Sequence, residues 1–158
     1  MYISVQDRLV QEITELMYYN IPCTYMRGGT SRALIFQKKN LPADKTVWPE
    51  LFMKALGVRM TAAGLSAMGV DFPTHKIAVI SPHEGDDADV DYDFFQTDGE
   101  NYYVDNRGNC GNMSSAVGPY AIDEGMVEAK EPETIVRIFN TNTKRIIKSR
   151  VLVKNGKS

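Results

Sequence analysis

A cysteine in a glycine-rich turn is the residue of this chain best suited to chemistry. Cys110 lies in Asp105–Gly118, which reads D-N-R-G-N-C-G-N-M-S-S-A-V-G. Glycine and asparagine favour a turn because they tolerate positive φ. The apolar spacing after Gly111 predicts a helix with Asn112 or Ser114 as its N-cap. Because a helix N-terminus stabilises a thiolate and attracts anions, the pattern predicts a reactive sulfur beside a carboxylate site. A small buried cysteine in an ordinary turn is the alternative.

A second turn offers groups that bind anions. Residues 21–36 predict a strand, a turn and a second strand, and the turn reads R-G-G-T-S over Arg27–Ser31. A guanidinium, two hydroxyls and free backbone amides suit a carboxylate. A plain hairpin with Thr30 as a capping residue is the alternative. Cys23, on the first of these strands, is predicted to be an unreactive core residue.

The spacing of apolar residues in the rest of the chain predicts the helices and strands that must position these two turns. Helical spacing of apolar residues covers 2–19, 48–56 and 113–122, and the last of these helices ends at Asp123–Gly125. In the second helix the predicted core face is Trp48, Leu51, Phe52 and Ala55, with Gly57 as the C-cap. Strands are predicted at residues 77–81, 89–96, 102–104, 133–139 and 145–153. The order of helices and strands indicates an α+β domain over residues 21–158, preceded by an amphipathic helical extension over residues 1–20.

Composition narrows the classes of function. With 158 residues, 43% hydrophobic and 24% charged, the chain is long enough for one domain with a core. A net charge of −2 provides no basic field, so nucleic acid is not an expected partner. No apolar run approaches the roughly 20 residues of a membrane span. Two cysteines and an N-terminus without a signal-peptide pattern predict a cytoplasmic protein.

The two turns resemble those of a known family. N-C-G-N-M-S-S-A-V-G-P-Y-A-I-D-E-G over residues 109–125 and M-R-G-G-T-S over residues 26–31 resemble the PrpF and methylitaconate isomerase family, which includes 4-oxalomesaconate tautomerase. The resemblance begins near Ile21 and covers the first of the family's two halves. It implies a diaminopimelate-epimerase-like half, in which a curved, mainly antiparallel sheet wraps around a central helix. Two departures are Arg32-Ala33 in place of Lys-Gly and a loop over residues 58–70 that is poor in glycine.

The resemblance also implies a reaction. Family members move a carbon–carbon double bond in an unsaturated di- or tricarboxylate, of the methylaconitate, methylitaconate or oxalomesaconate type, by allylic proton transfer without a metal or organic cofactor. Lys76 reads from sequence alone as a solvated strand-edge charge, whereas the resemblance implies that it transfers protons and that Cys110 assists it. A desolvated lysine near another cation has a lowered pKa and serves as a base near neutrality. The substrate-binding residues implied are Arg27, Gly29, Thr30, Ser31, Thr74, Gly111, Asn112 and Ser114.

Two alternatives concern activity and assembly. A truncated, non-catalytic half that acts as a binding or accessory protein has the same turns as an active enzyme. A single half of a two-half fold also exposes an apolar surface and a sheet edge, and symmetric dimers commonly cover such surfaces. A homodimer is therefore expected. His83, in the loop that follows the strand at residues 77–81, is predicted to be solvated.

Overall fold

The structure of the protein, a computed structural model, describes residues 20–57, 75–98 and 103–158. The predicted extension over residues 1–20, apart from Asn20, lies outside the described residues, as does the loop over residues 58–70. The elements in chain order are β1 (Cys23–Gly28), β2 (Ser31–Gln37), α1 (Trp48–Ala55), β3 (Lys76–Pro82), β4 (Val90–Asp98), β5 (Tyr103–Asp105), α2 (Gly111–Asp123), β6 (Glu133–Asn140) and β7 (Arg145–Leu152).

The strands form one mixed sheet in the order β1-β2-β3-β4-β6-β7, with β5 also paired to β4. Four pairings are antiparallel, namely β1–β2, β3–β4, β4–β5 and β6–β7. The pairs β2–β3 and β4–β6 are parallel, and a helix lies between the two strands of each pair in the chain. The predicted α+β fold with a mainly antiparallel sheet is confirmed. The sequence did not indicate the two parallel pairs of strands.

Helix α2 packs against one face of this sheet. Its apolar residues Met113, Ala116, Val117 and Tyr120 are at most 4% exposed, as their helical spacing predicted. They form a single core with inward-facing side chains of β2, β3, β4, β6 and β7. At Gly118 the helix approaches β7 so closely that a Cβ atom would lie 2.5 Å from the Ser149 Oγ. The sheet thus encloses the helix whose first turn follows Cys110.

Helix α1 covers the opposite face. Trp48 and Phe52 pack against Phe95 from β4, with ring centroids 6.1 and 5.0 Å apart respectively. The predicted core face of α1 was partly wrong, because Ala55 is exposed whereas Met53 and Leu56 are buried. The larger side chains turn toward the sheet because they bury more apolar area than alanine does. The predicted C-cap was one residue late, because Leu56 is the C-cap and Gly57 follows it with φ +69°.

Two predictions about single side chains were wrong. Cys23 is exposed, because β1 is an edge strand that turns this residue away from the core. His83 is largely covered, and its two ring nitrogens lie 2.6 Å from the Asp91 Oδ1 and 3.0 Å from the Asp87 Oδ1. Its hydrogen bond to Asp91, supported by Asp87, raises the pKa of His83. The histidine therefore ties its loop to β4 instead of standing in solvent.

Candidate active site

A cavity of about 450 Å³ opens where the N-terminus of α2 meets the turn between β1 and β2. Among the predicted site residues, Thr30, Ser31, Lys76, Cys110 and Asn112 line it. The other lining residues are Phe94, Gln96, Asp105, Gly108 and Asn109. The structure therefore brings together residues that are up to 82 positions apart in the chain.

Cys110 lies at the mouth of helix α2. The helix begins at Gly111, and Cys110 occupies the N-cap position with no side-chain capping bond. Its carbonyl oxygen already accepts a bond from the Ser114 backbone N–H at 2.9 Å. The prediction of Asn112 or Ser114 as the N-cap was therefore wrong, because the N-cap lies two residues before Asn112 and four before Ser114. The half-buried Cys110 sulfur lies 3.8 Å from the Ser31 hydroxyl oxygen.

Asn112 joins the helix to the β1–β2 turn. Its Nδ2 donates to the Thr30 Oγ1 at 2.9 Å and approaches the Ser31 Oγ at 3.5 Å. The close approach is possible because Gly28 and Gly29 have no side chains: a Cβ atom at Gly28 would lie 2.3 Å from the Asn112 carbonyl oxygen. Gly29 adopts φ +53°, a conformation that few other residues accept. The hydroxyls of the turn are thereby held at the helix N-terminus.

The remaining predicted binding residues have other positions. The Ser114 Oγ is buried within 3.0 Å of the Cys110 carbonyl oxygen and 3.1 Å of the Asn109 Oδ1, so it braces the turn. Arg27 is exposed, and its Nε donates to the Gly29 carbonyl oxygen at 2.7 Å. Gly111 begins the helix and is exposed. Arg27, Gly29, Gly111 and Ser114 do not line the described cavity, and Thr74 lies outside the described residues.

Lys76 is buried, with 4% of its surface exposed. It lies on the same face of β3 as Ala78 and Ile80, which belong to the core around α2. This placement excludes the solvated strand-edge alternative. Burial lowers the pKa of Lys76, while the nearby Cys110 acts in the opposite direction. A lysine in such surroundings reaches its neutral, proton-accepting form at lower pH than a surface lysine.

Sequence reasoning missed five residues that line the cavity. Asp105 and Asn109 precede Cys110 by five residues and one residue, and this closeness in the chain was the signal that could have found them. Arg107 donates to both carboxylate oxygens of Asp105 at 2.9 Å and lowers the pKa of Asp105 to about 2. Gln96 is the cross-strand partner of Lys76. That pairing is a property of the sheet, and no local pattern could have indicated it.

Two kinds of feature are absent from the described residues. Within residues 20–57, 75–98 and 103–158, no group of three or more His, Cys, Asp or Glu side chains is placed to hold a metal ion. In the same residues, no helix has the length and apolar character needed to cross a membrane.

Comparisons with known proteins place this geometry among relatives. A family model described as PrpF protein matches residues 18–158. The chain is 42% identical over 138 residues to a 3-methylitaconate isomerase of Eubacterium barkeri, covering 87% of the chain and 36% of the relative. It is 38% identical over 136 residues to a 4-oxalomesaconate tautomerase of Pseudomonas putida, covering 86% of the chain and 38% of that relative.

Solved structures of related proteins have a similar fold. A crystal structure of methylitaconate-delta-isomerase superposes with a TM-score of 0.81 at 41% identity, covering 87% of this chain and 36% of the other. A hydroxyproline epimerase from Agrobacterium vitis, at 15% identity and a TM-score of 0.57, is similar in fold alone. The chain therefore spans well under half the length of the curated relatives it matches.

Proposed function

This chain belongs to the PrpF family, and from that premise we propose that it supplies the proton-transfer side of an isomerase that moves a carbon–carbon double bond in an unsaturated di- or tricarboxylate. The observation that supports this most is the buried Lys76 beside Cys110 in one cavity, with the hydroxyls of Thr30 and Ser31 at its wall. The proposal assigns Lys76 and Cys110 to catalysis. Substrates of the methylitaconate, methylaconitate and oxalomesaconate type are the candidates, because relatives are named for them.

The chemistry needs one proton removed and one returned. Neutral Lys76 takes the allylic proton from the carbon beside a carboxylate, and the electron pair moves into a dienolate. Hydroxyls and amides at the helix N-terminus stabilise the negative charge that develops on the carboxylate oxygens. A proton from the resulting ammonium of Lys76, or from the thiol of Cys110, then returns to the carbon at the far end of the allylic system. Electrons balance without an oxidant or reductant.

Carboxylate binding is assigned to the same wall of the cavity. Thr30 and Ser31 present hydroxyls, and Asn112 presents its amide at the N-terminus of α2. Arg27, Gly29, Gly111 and Ser114 support the two turns and set the positions of these donors. Thr74 remains a predicted binding residue.

An assay of substrate turnover tests whether this chain is an enzyme. The full chain is incubated separately with 3-methylitaconate, 2-methylaconitate and 4-oxalomesaconate, and double-bond migration is followed by ultraviolet absorbance. We expect a protein-dependent change with at least one of them. Folded protein that changes none of the three contradicts catalysis by this chain. The specificity control is a saturated dicarboxylate, which has no double bond to move.

A second candidate function is binding without turnover. It is favoured by one observation: hydroxyls of Thr30 and Ser31 and the amide of Asn112 meet at one wall of the cavity, and binding a carboxylate requires only such groups. Calorimetric titration with methylsuccinate, which is saturated and cannot react, measures carboxylate binding alone. Binding of methylsuccinate combined with no turnover supports this function over the enzymatic one.

We also propose that the chain forms a homodimer through the outer face of β6 and β7. Ile135, Ile146 and Leu152 lie on this face, opposite α2, and are 48%, 42% and 71% exposed. Light scattering of dilute protein is expected to give about twice the 17.7 kDa chain mass. Leu152→Asp is expected to shift the protein toward monomer, because it removes the most exposed of these apolar side chains and places a second carboxylate opposite Glu133. A wild-type monomer at micromolar concentration contradicts the proposal.

A further inference from the structure

The turn between β6 and β7 fills a gap in the sheet next to the cavity. On one edge of β4, strand β6 pairs with Val90–Tyr92 and β5 pairs with Gln96–Asp98. Phe94 falls between the two pairings. The carboxamide of Asn142 substitutes for a strand at this point: its Oδ1 accepts from the Phe94 N–H at 2.8 Å, and its Nδ2 donates to the Phe94 carbonyl oxygen at 2.9 Å.

The same turn reaches both ends of the segment that leads to Cys110. The Asn142 Nδ2 also donates to the carbonyl oxygen of Asn106, the first residue after β5, at 2.5 Å. Asn140, which is 0% exposed, donates from its Nδ2 to the Asn109 Oδ1 at 3.3 Å. The Asn140 Oδ1 is itself fixed, because it accepts from the Thr143 N–H at 2.8 Å and from its hydroxyl at 2.7 Å.

These bonds also orient Asn109 at the cavity. The Asn109 Oδ1 accepts from the Asn140 Nδ2 at 3.3 Å and from the Ser114 hydroxyl at 3.1 Å, so this oxygen is held by two groups of the protein. Asn109 is among the residues that line the cavity, and its NH₂ group is a donor that a ligand oxygen there can accept from. Cys110 follows directly. A turn made of glycine and asparagine has little stiffness of its own, so bonds from outside the turn must set its conformation.

We propose that Asn140 and Asn142 are positioning residues, which hold the turn of residues 106–110 and thereby set the place of Cys110 and the orientation of Asn109. They act through the turn, since neither is among the residues that line the cavity. The proposal rests on the proposed function only for its consequence in catalysis. Its structural content concerns the turn and is tested without turnover.

The test uses the two cysteines of the full chain as probe and internal standard. Cys110 is half-buried in the turn, whereas Cys23 is exposed on β1. Iodoacetamide alkylation is followed for each thiol by peptide mass spectrometry. Asn142→Ala is expected to raise the ratio of the Cys110 rate to the Cys23 rate about tenfold, because the turn opens locally. Amide hydrogen exchange is expected to rise at residues 106–110 and to stay unchanged in β3. The matched control Asn40→Ala removes a carboxamide elsewhere and should leave both readouts unchanged.

A folded Asn142→Ala protein whose rate ratio stays within about twofold of the wild-type value overturns the proposal. If that variant does not fold, Asn140→Ala decides, because it removes the donor to the Asn109 Oδ1 and leaves both bonds of Asn142 to Phe94 in place. It is expected to remain folded with an increased ratio, and an unchanged ratio overturns the proposal equally. Where the wild type turns over substrate, the folded variant should lower kcat about tenfold with KM within about twofold. A rise in KM alone would mean that the replaced asparagine serves binding instead.

Discussion

Replacing Lys76 by alanine is expected to lower kcat by about 10²–10⁴-fold, the usual contribution of a general acid or base. The reason is the position of the amine: Lys76 is 4% exposed and lines the same cavity as Cys110. Alanine leaves space but no group that accepts the allylic proton. The measurement is double-bond migration by ultraviolet absorbance, with the substrate that the wild type converts fastest.

The control variant is Cys23→Ser, which removes a thiol from an exposed position on β1. It is expected to keep wild-type kcat, because the residue is remote from the cavity wall. Equal losses of kcat in Lys76→Ala and Cys23→Ser, at matched folded fraction, would remove the special role assigned to Lys76.

The pH dependence of stability separates catalysis from folding in the Lys76→Ala variant. Burial lowers the pKa of Lys76, so the unfolded chain binds this proton more readily than the native protein does. The ammonium therefore costs stability, and this cost grows as pH falls from the unfolded pKa of lysine toward the lowered native pKa. The stability of Lys76→Ala relative to the wild type is accordingly expected to be greater at neutral pH than at alkaline pH, because the variant has no ammonium to bury. Denaturant titrations at neutral and alkaline pH measure the difference.

Replacing Gly28 by alanine is expected to destabilise the protein by about 1–3 kcal/mol, the usual cost of overpacking. A Cβ atom there would lie 2.3 Å from the Asn112 carbonyl oxygen and 3.1 Å from the Met113 Cα. Both atoms are backbone, so the β1–β2 turn and the N-terminus of α2 must move apart. That movement also lengthens the 2.9 Å bond from Asn112 to Thr30. Chemical denaturation measures the loss of stability.

Gly108→Ala is the matched control, because it adds the same methyl group beside the same cavity, and apart from its chain neighbours no atom of the described residues lies within 4 Å of the new Cβ. Its stability is expected to lie within about 0.5 kcal/mol of the wild-type value. If Gly28→Ala proved as stable as Gly108→Ala, the close approach of the two turns would not be a constraint on the fold.

Residues that are close together in the chain specify the local structure around the site. The glycines and asparagines before Cys110 predicted its turn, and helical spacing predicted the buried face of α2. The sequence also predicted the hairpin with Arg27–Ser31 at its turn, and the motif of this turn is part of the resemblance to the family. These features depend on residues within about four positions of each other, because hydrogen bonds and side-chain neighbours in turns and helices span that distance.

Tertiary structure alone decided which of these side chains are buried and what they contact. Lys76 reads as a solvated charge until β3 places it between β2 and β4, and Cys23 reads as a core residue until β1 becomes an edge strand. The bonds of the β6–β7 turn to Phe94 and Asn106 join residues 48 and 36 positions apart. Burial and such long-range bonds depend on which strands become neighbours, and the sequence of each strand specifies its own alternation but not its partners.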